Sequence, residues 1–140
     1  MTIIERVLLL QNIELFNEVT TEQLSFIAAI GKEMDIASGT ILYRENDPSD
    51  GLYVVISGAI EAKRGGDTID RIGPNESFGI WAFFDDEPRL TSATAVEPSR
   101  LLFVLREDFY DVLADHVDIA RNIMKQLVQR LRRLTVGVEK

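Results

Sequence analysis

Between Lys32 and Leu105, glycine or proline returns every few residues, at Gly39, Pro48, Gly51, Gly58, Gly65-Gly66, Gly73-Pro74, Gly79, Pro88 and Pro98. Such punctuation leaves little room for a helix of ordinary length, since both residues disfavour helix interiors. The segments between are rich in β-branched and aromatic residues: "TILYR", "LYVVIS", "AIEAKR", "TIDRI", "TSATAV" and "RLLFVL". Short strands separated by frequent turn signals predict an antiparallel sandwich, barrel or jelly roll. Within that run "KRGGDT" predicts a tight hairpin, because two adjacent glycines can both take the positive φ that such a turn needs.

Helices are predicted on either side. "TIIERVLLLQN" places Ile3, Ile4, Val7, Leu8 and Leu10 on one stripe with Thr2 as N-cap. In "TTEQLSFIAAIG", Thr20 or Thr21 caps a helix whose Leu24, Ile27 and Ala28 share a face and which Gly31 stops. After the strands, "REDFYDVLADH" starts with acids in its first turn and groups Phe109, Val112 and Leu113. "VDIARNIMKQLVQRLRRL" then carries Ile119, Ile123, Leu127, Leu131 and Leu134 on a stripe flanked by Ala120, Met124 and Val128, and "TVGVEK" trails off as frayed polar residues. The whole reads as one domain, 1–140: N-terminal helices over 1–31, a β-roll over 32–105 and C-terminal helices over 106–135.

Composition narrows the function. There is no cysteine, so disulfide frameworks, thiol nucleophiles and Cys-based zinc sites are excluded, and a single histidine, His116, removes most Ser–His and His-ligated metal chemistries. His116 falls between two predicted helices, where capping or hydrogen bonding is expected of it. No apolar run approaches the ~18 residues of a membrane span, and Glu5 interrupts what would be a basic leader, so a cytoplasmic location without membrane insertion is expected. The net charge of −8 is uneven: residues 121–140 hold six Lys/Arg and one acid, and the rest of the chain is strongly acidic. An acidic body repels the nucleic-acid backbone, and cations near a helix C-terminus complement its dipole, so no direct nucleic-acid contact is expected.

Three segments in register carry a resemblance. "ENDPSDGLYVVISGAIEA", "IGPNESFGIWAFFDDEPR" and "REDFYDVLADH" resemble the cyclic nucleotide-binding domain family in order and spacing. The resemblance implies a mainly β fold, an antiparallel eight-stranded jelly-roll barrel flanked by helices. It implies a phosphate-binding cassette, here 78–91, and C-terminal helices that move when ligand binds. Asn46 and Asn75 stand where the family usually has glycine, and asparagine tolerates the left-handed conformation those turns need. Gly58 is expected to serve a turn, a strand kink or a close backbone approach to a ligand cavity.

The implied ligand-binding residues are Gly79, Ile80, Trp81, Ala82, Arg89, Leu90 and Thr91. Backbone N–H groups opening near Gly79 would point at an anion, and Arg89 would add a forked cation for phosphate oxygens. Arg89 has an equally simple reading as a salt bridge to a neighbouring carboxylate. Asp85, Asp86 and Glu87 would pair with it or repel a phosphate. Where the family usually has a glutamate for the ribose hydroxyl, this chain has Ile80, and Leu90 and Thr91 are bulkier than usual. An unmet buried hydroxyl costs about 1–3 kcal/mol, so weak binding of cyclic AMP or cyclic GMP is expected. Trp81 is read as core or helix-interface packing, with stacking on a base or capping the pocket as its alternative, and "WAFF" as the buried face of the cassette helix.

No residue constellation supports catalysis or a metal site, and no cofactor is required. Two readings remain. One is a regulatory sensor that binds a cyclic nucleotide or related anion and relays the change through its C-terminal helices to an effector domain in the same or another chain. No helix-turn-helix pattern follows Leu134. The other is a ligand-free assembly domain, its pocket filled by its own side chains and its 119–134 stripe forming a homodimer.

Overall fold

A computed structural model describes residues 1–135; the reading of "TVGVEK" falls, beyond Thr135, outside them. The chain divides into two compact units, one of Ile30–Phe109 and one of Met1–Ala29 with the chain from Tyr110 onward.

The first unit holds eight strands: β1 (Lys32–Ile36), β2 (Ile41–Tyr43), β3 (Gly51–Ser57), β4 (Ile60–Arg64), β5 (Asp67–Ile72), β6 (Ser77–Phe78), β7 (Ser92–Ala95) and β8 (Ser99–Leu105). They form two four-stranded sheets, ordered β1-β8-β3-β6 and β2-β7-β4-β5, and every pairing is antiparallel. This is the expected jelly roll, in the form of two sheets; among the described residues the strands do not close into one ring. The core lies between the sheets: Tyr53, Val55, Phe78 and Leu101 from one meet Ile60, Ala62, Ile72, Ala93 and Ala95 from the other. Side chains alternate across a pleated strand, so each strand offers every second residue to this layer.

Six strands match the segments read from the sequence; β1 and β6 do not. "KEMDI" of β1 hides its character behind three charges. It is an edge strand paired along its length to β8, where charge is tolerated, and Arg100 reaches both Glu33 (3.5 Å) and Asp35 (3.4 Å). β6 has only two residues, too few for any periodicity. The β4–β5 hairpin pairs Arg64 with Asp67 around Gly65 and Gly66, both at positive φ, as "KRGGDT" predicts. Asn46 and Asn75 both sit at φ 70°, the left-handed conformation anticipated for them. Gly58 (φ 95°) does make a close backbone approach, but to β8: a Cβ there would collide with Ser99, and Gly58 is not on the wall of the cavity beside Gly79.

The second unit contains α1 (Ile3–Leu10), a 3-10 turn at Glu14–Phe16, α2 (Thr21–Ile30) and α4 (Val117–Leu134), together with most of α3 (Arg106–Asp115). Thr2 and Glu5 form a reciprocal capping box at the start of α1 (3.1 and 2.9 Å), and Thr20 with Gln23 repeats the arrangement on α2 (3.2 and 3.1 Å). The α1 stripe is rotated from expectation. Val7, Leu9 and Leu10 are buried, whereas Ile4 and Leu8 face out, because a one-sided apolar count cannot fix which edge of a broad stripe packs. His116 precedes α4 without a side-chain capping bond; its ring instead stacks on Phe26, centroids 3.9 Å apart.

α4 carries two apolar faces where the sequence reading merged them into one stripe. Ile119, Ile123 and Gln126 are buried. On the same side Asn122 donates to Gln23 (2.9 Å), Gln129 to Glu18 (3.0 Å) and Arg133 to Glu14 (2.6 Å), strapping α4 to the N-terminal segment. Val117, Met124, Val128 and Leu131 lie on the other, exposed face, and Leu134, in line with Ile123, is exposed at the helix end. Among the described residues no helix is long and apolar enough to cross a membrane.

Candidate functional site

The site grows out of one turn. β6 ends at Phe78, whose ring stacks on Tyr53 at 5.0 Å, and the chain then reverses at Gly79. Gly79 sits at φ 79°, ψ 21°, and caps a single 3-10 turn, Ile80–Phe83, in place of a regular helix. Glycine is required here twice over. An L side chain pays about 1–2 kcal/mol in the left-handed region, and a Cβ at this position would lie 2.5 Å from Nη1 of Arg89.

Arg89 is the centre of the arrangement. It is only 6% exposed. Its Nη2 donates to Asp50 Oδ1 (3.1 Å) and to the Gly51 carbonyl (3.2 Å), and its Nη1 donates to the Gly79 carbonyl (3.4 Å). The guanidinium lies 4.1 Å from the centroid of the Tyr43 ring, within cation–π range. Its Nε, fully buried, has no partner. The Arg89 backbone is held as well: its N–H donates to Asp47 (2.8 Å), and its carbonyl accepts from Asn46 (2.9 Å). The "NDPSDG" turn and the cassette, nearly forty residues apart in sequence, are thereby one structure.

The sequence reading placed an ion pair at Arg89 but looked for it among Asp85, Asp86 and Glu87. The partner is Asp50. The acidic turn serves a different arginine: Arg106, the first residue of α3, reaches Asp86 Oδ1 (3.4 Å) and donates to the carbonyls of Ala82 (3.2 Å) and Asp85 (3.1 Å). The Arg106 N–H also donates to the Asp50 carbonyl (2.8 Å). Asp50 therefore touches Arg89 through its side chain and the start of α3 through its backbone.

All seven residues singled out from the sequence, Gly79, Ile80, Trp81, Ala82, Arg89, Leu90 and Thr91, line one cavity of about 900 Å³. That is within the range of small-molecule pockets, and its size argues against a pocket filled by its own side chains. Leu90 is 62% exposed on the cavity wall and does not plug it. Two expectations fail here. Trp81 is not core but 57% exposed, and of "WAFF" only Ala82 is buried among the described side chains; Phe84 is exposed, and the side chain of Phe83 lies outside the description. A 3-10 turn is too short to present one continuous buried face, which leaves Trp81 and the following Phe84 exposed.

Sequence reasoning missed several wall residues: Tyr43, Glu45, Arg64, Ile69 and Asp70. Burial pushes the Tyr43 phenol above its ordinary range, opposed by the Arg89 cation and a hydrogen bond from Thr91. Tyr53 is raised too, by burial first and then by the Asp50 carboxylate. Both phenols stay neutral near pH 7. The signal for Asp50 was present in "DPSDG", but nothing in spacing shows which distant cation it meets.

Comparison with known proteins agrees with this geometry. The cyclic nucleotide-binding domain model matches residues 33–116. A CRP-like cAMP-activated global transcriptional regulator of Mycobacterium tuberculosis is 32% identical over 117 residues, covering 78% of this chain and 52% of that protein. The cyclic AMP receptor protein of Thermus thermophilus is 30% identical over 123 residues, covering 84% of this chain and 57% of that one. The chain thus spans about half the length of these curated relatives. The crystal structure of the N-terminal domain of a transcriptional regulator from Streptomyces coelicolor A3(2) superposes with a TM-score of 0.86 at 28% identity, covering 94% of this chain and 98% of that one. A turn at Gly79, a buried arginine facing it and a two-sheet roll around both are accounted for by one ancestry: the chain belongs to the cyclic nucleotide-binding domain family.

Proposed function

We propose that this chain is a regulatory sensor domain that takes a cyclic nucleotide or a related anion in the cavity beside Gly79 and Arg89. The observation that carries the reading is Arg89 itself, a buried cation on the wall of an open cavity of about 900 Å³. Binding is weak for two reasons. An incoming phosphate competes with Asp50 for the guanidinium, and Ile80 offers no acceptor to a ligand hydroxyl. Gly79, Trp81, Ala82, Leu90 and Thr91 complete the contact set, and no cofactor or catalytic step is involved.

The relay follows from Asp50. A ligand that draws Arg89 away from Asp50 disturbs the loop whose carbonyl holds the first N–H of α3, while Arg106 grips the cassette at Ala82 and Asp85. The C-terminal helices continue from that residue, and we assign to them the passage of the change to an effector in the same or another chain, within the cytoplasm. Thermodynamically this is a population shift: the ligand favours whichever cassette arrangement it contacts better. Isothermal calorimetry with cyclic AMP and cyclic GMP tests the reading. Saturable heat with either is expected, and none at millimolar ligand with folded protein would refute it for those two.

A second reading rests on a separate observation. Val117, Ala120, Met124, Leu127, Leu131 and Leu134 recur at alternating intervals of three and four along α4, and most of them are exposed. That spacing is a coiled-coil seam, suited to a homodimer through 119–134. Light scattering should give a dimer mass that Leu131→Glu halves; a native monomer would refute it.

A further inference from the structure

We propose that the turn over residues 81–87 is a docking surface for an effector chain, met by a segment that carries lysine or arginine beside apolar anchors. This rests on the sensor reading in one respect, that an effector exists; the docking itself needs no ligand in the cavity. The surface begins with the 3-10 turn. Its three-residue repeat brings side chains at i and i+3 into line, and the Phe84 N–H donates to the Trp81 carbonyl (3.0 Å). The two rings therefore leave the turn on one edge, Trp81 57% exposed and Phe84 43%. Leu90, 62% exposed, shares the cavity wall with Trp81 and extends the patch. Large apolar side chains grouped at a surface mark an interaction site, and aromatic anchors carry much of the energy of such contacts.

The turn is also held still. Gly79 caps it, and Arg106 grips it through the carbonyls of Ala82 (3.2 Å) and Asp85 (3.1 Å). A surface already in its bound shape loses little entropy on docking. Charge then defines the partner. Asp85, Asp86 and Glu87 follow the rings directly and all are exposed, the Asp86 side chain by 98%. Among the described residues, the ion pair these three acids make is that of Asp86 with Arg106, at 3.4 Å. An apolar patch fringed by carboxylates repels acidic chains and favours a cation set beside an apolar anchor. The stem of a lysine or arginine can cover ring surface while its charged head meets the carboxylates.

Trp81 is the sole tryptophan, so its emission reports on the surface to which it belongs. The native chain, free of nucleotide, is titrated with an amphipathic helical peptide of leucine and lysine, and with versions carrying glutamate for lysine or serine for leucine. The leucine–lysine peptide should give a saturable blue shift, and either replacement should weaken binding by about tenfold or more. Phe84→Ser, Leu90→Ser and the double variant Asp86→Asn, Glu87→Gln, each folded by circular dichroism, should weaken it by about tenfold. Ile4→Ser, at an exposed apolar site on α1, should leave it unchanged. No response to the leucine–lysine peptide, equal binding of the lysine and glutamate peptides, or binding that the folded patch variants leave unchanged would overturn the inference. None of these touches the ligand reading, which calorimetry with cyclic AMP tests separately. Self-association of the native chain that Phe84→Ser abolishes would give the surface to a second copy and overturn the assignment of an effector.

Discussion

Replacing Asp50 with asparagine should destabilise the fold and at the same time strengthen anion binding. The pair it breaks is asymmetric: the Arg89 side chain is 4% exposed and that of Asp50 is 62%. Removing the partner of a fully buried charge costs about 3–5 kcal/mol, but a solvent-facing carboxylate recovers much of its hydration on separation, and exposed pairs contribute only about 0–1 kcal/mol. Arg89 would keep the carbonyls of Gly51 and Gly79 and the face of Tyr43. A loss of about 1–2 kcal/mol is therefore expected, read as a lower midpoint of urea unfolding followed by circular dichroism. The same substitution removes the competitor for the guanidinium, and about 1.4 kcal/mol of relief corresponds to a tenfold gain in affinity for cyclic AMP. Both effects are required. A variant of unchanged stability whose anion affinity is also unchanged would show that Asp50 neither compensates Arg89 nor competes with ligand.

Three further outcomes follow from local geometry. Gly79→Ala should cost about 2–4 kcal/mol and abolish anion binding, because it combines left-handed strain with a side chain pressed on Arg89; near-native unfolding and binding would contradict it. Asn75→Ala should lose about 1 kcal/mol and Asn75→Gly nearly nothing, since only backbone strain at φ 70° distinguishes them, and thermal unfolding of the two variants decides. The buried phenols of Tyr43 and Tyr53 hold their protons to higher pH than the unfolded chain does. Above pH ~10 the native state binds more protons than the unfolded one, so stability should fall as pH rises past that point and be insensitive to these groups below it. Absorbance at 295 nm during an alkaline titration should show those two phenols ionising late.

Much of this was legible in the sequence, for physical reasons that differ by element. Turn chemistry is local, so "KRGGDT", Asn46 and Asn75 declared their conformations without any knowledge of the fold. The helix boundaries were equally local, set by Thr2, Thr20 and Gly31. What sequence could not show was pairing across distance. Arg89 was visible as a cation in need of a partner, yet of the three acids beside it in the chain Asp86 pairs with Arg106 through its carboxylate and Asp85 reaches Arg106 through its carbonyl, and Asp50 was supplied by a loop thirty-nine residues away. Orientation was the other blind spot. A tryptophan between apolar residues reads as core, and only the four-residue 3-10 turn explains why Trp81 faces the cavity. α4 misled for a related reason: its two apolar faces are adjacent on the helix surface, so Ile119 and Ile123 merged with Leu131 and Leu134 into one apparent stripe.

Trp81 is the sole tryptophan and lines the same cavity as Arg89, so its emission reports directly on whether that cavity captures an anion. Titration of the native chain with cyclic AMP should give a saturable change in Trp81 fluorescence. Arg89→Lys, which keeps the charge but not the planar fork, should remain folded by circular dichroism and lose most of the response. An unresponsive native chain at millimolar ligand, or an undiminished response in the lysine variant, would contradict the assignment of Arg89 as the anion-holding residue.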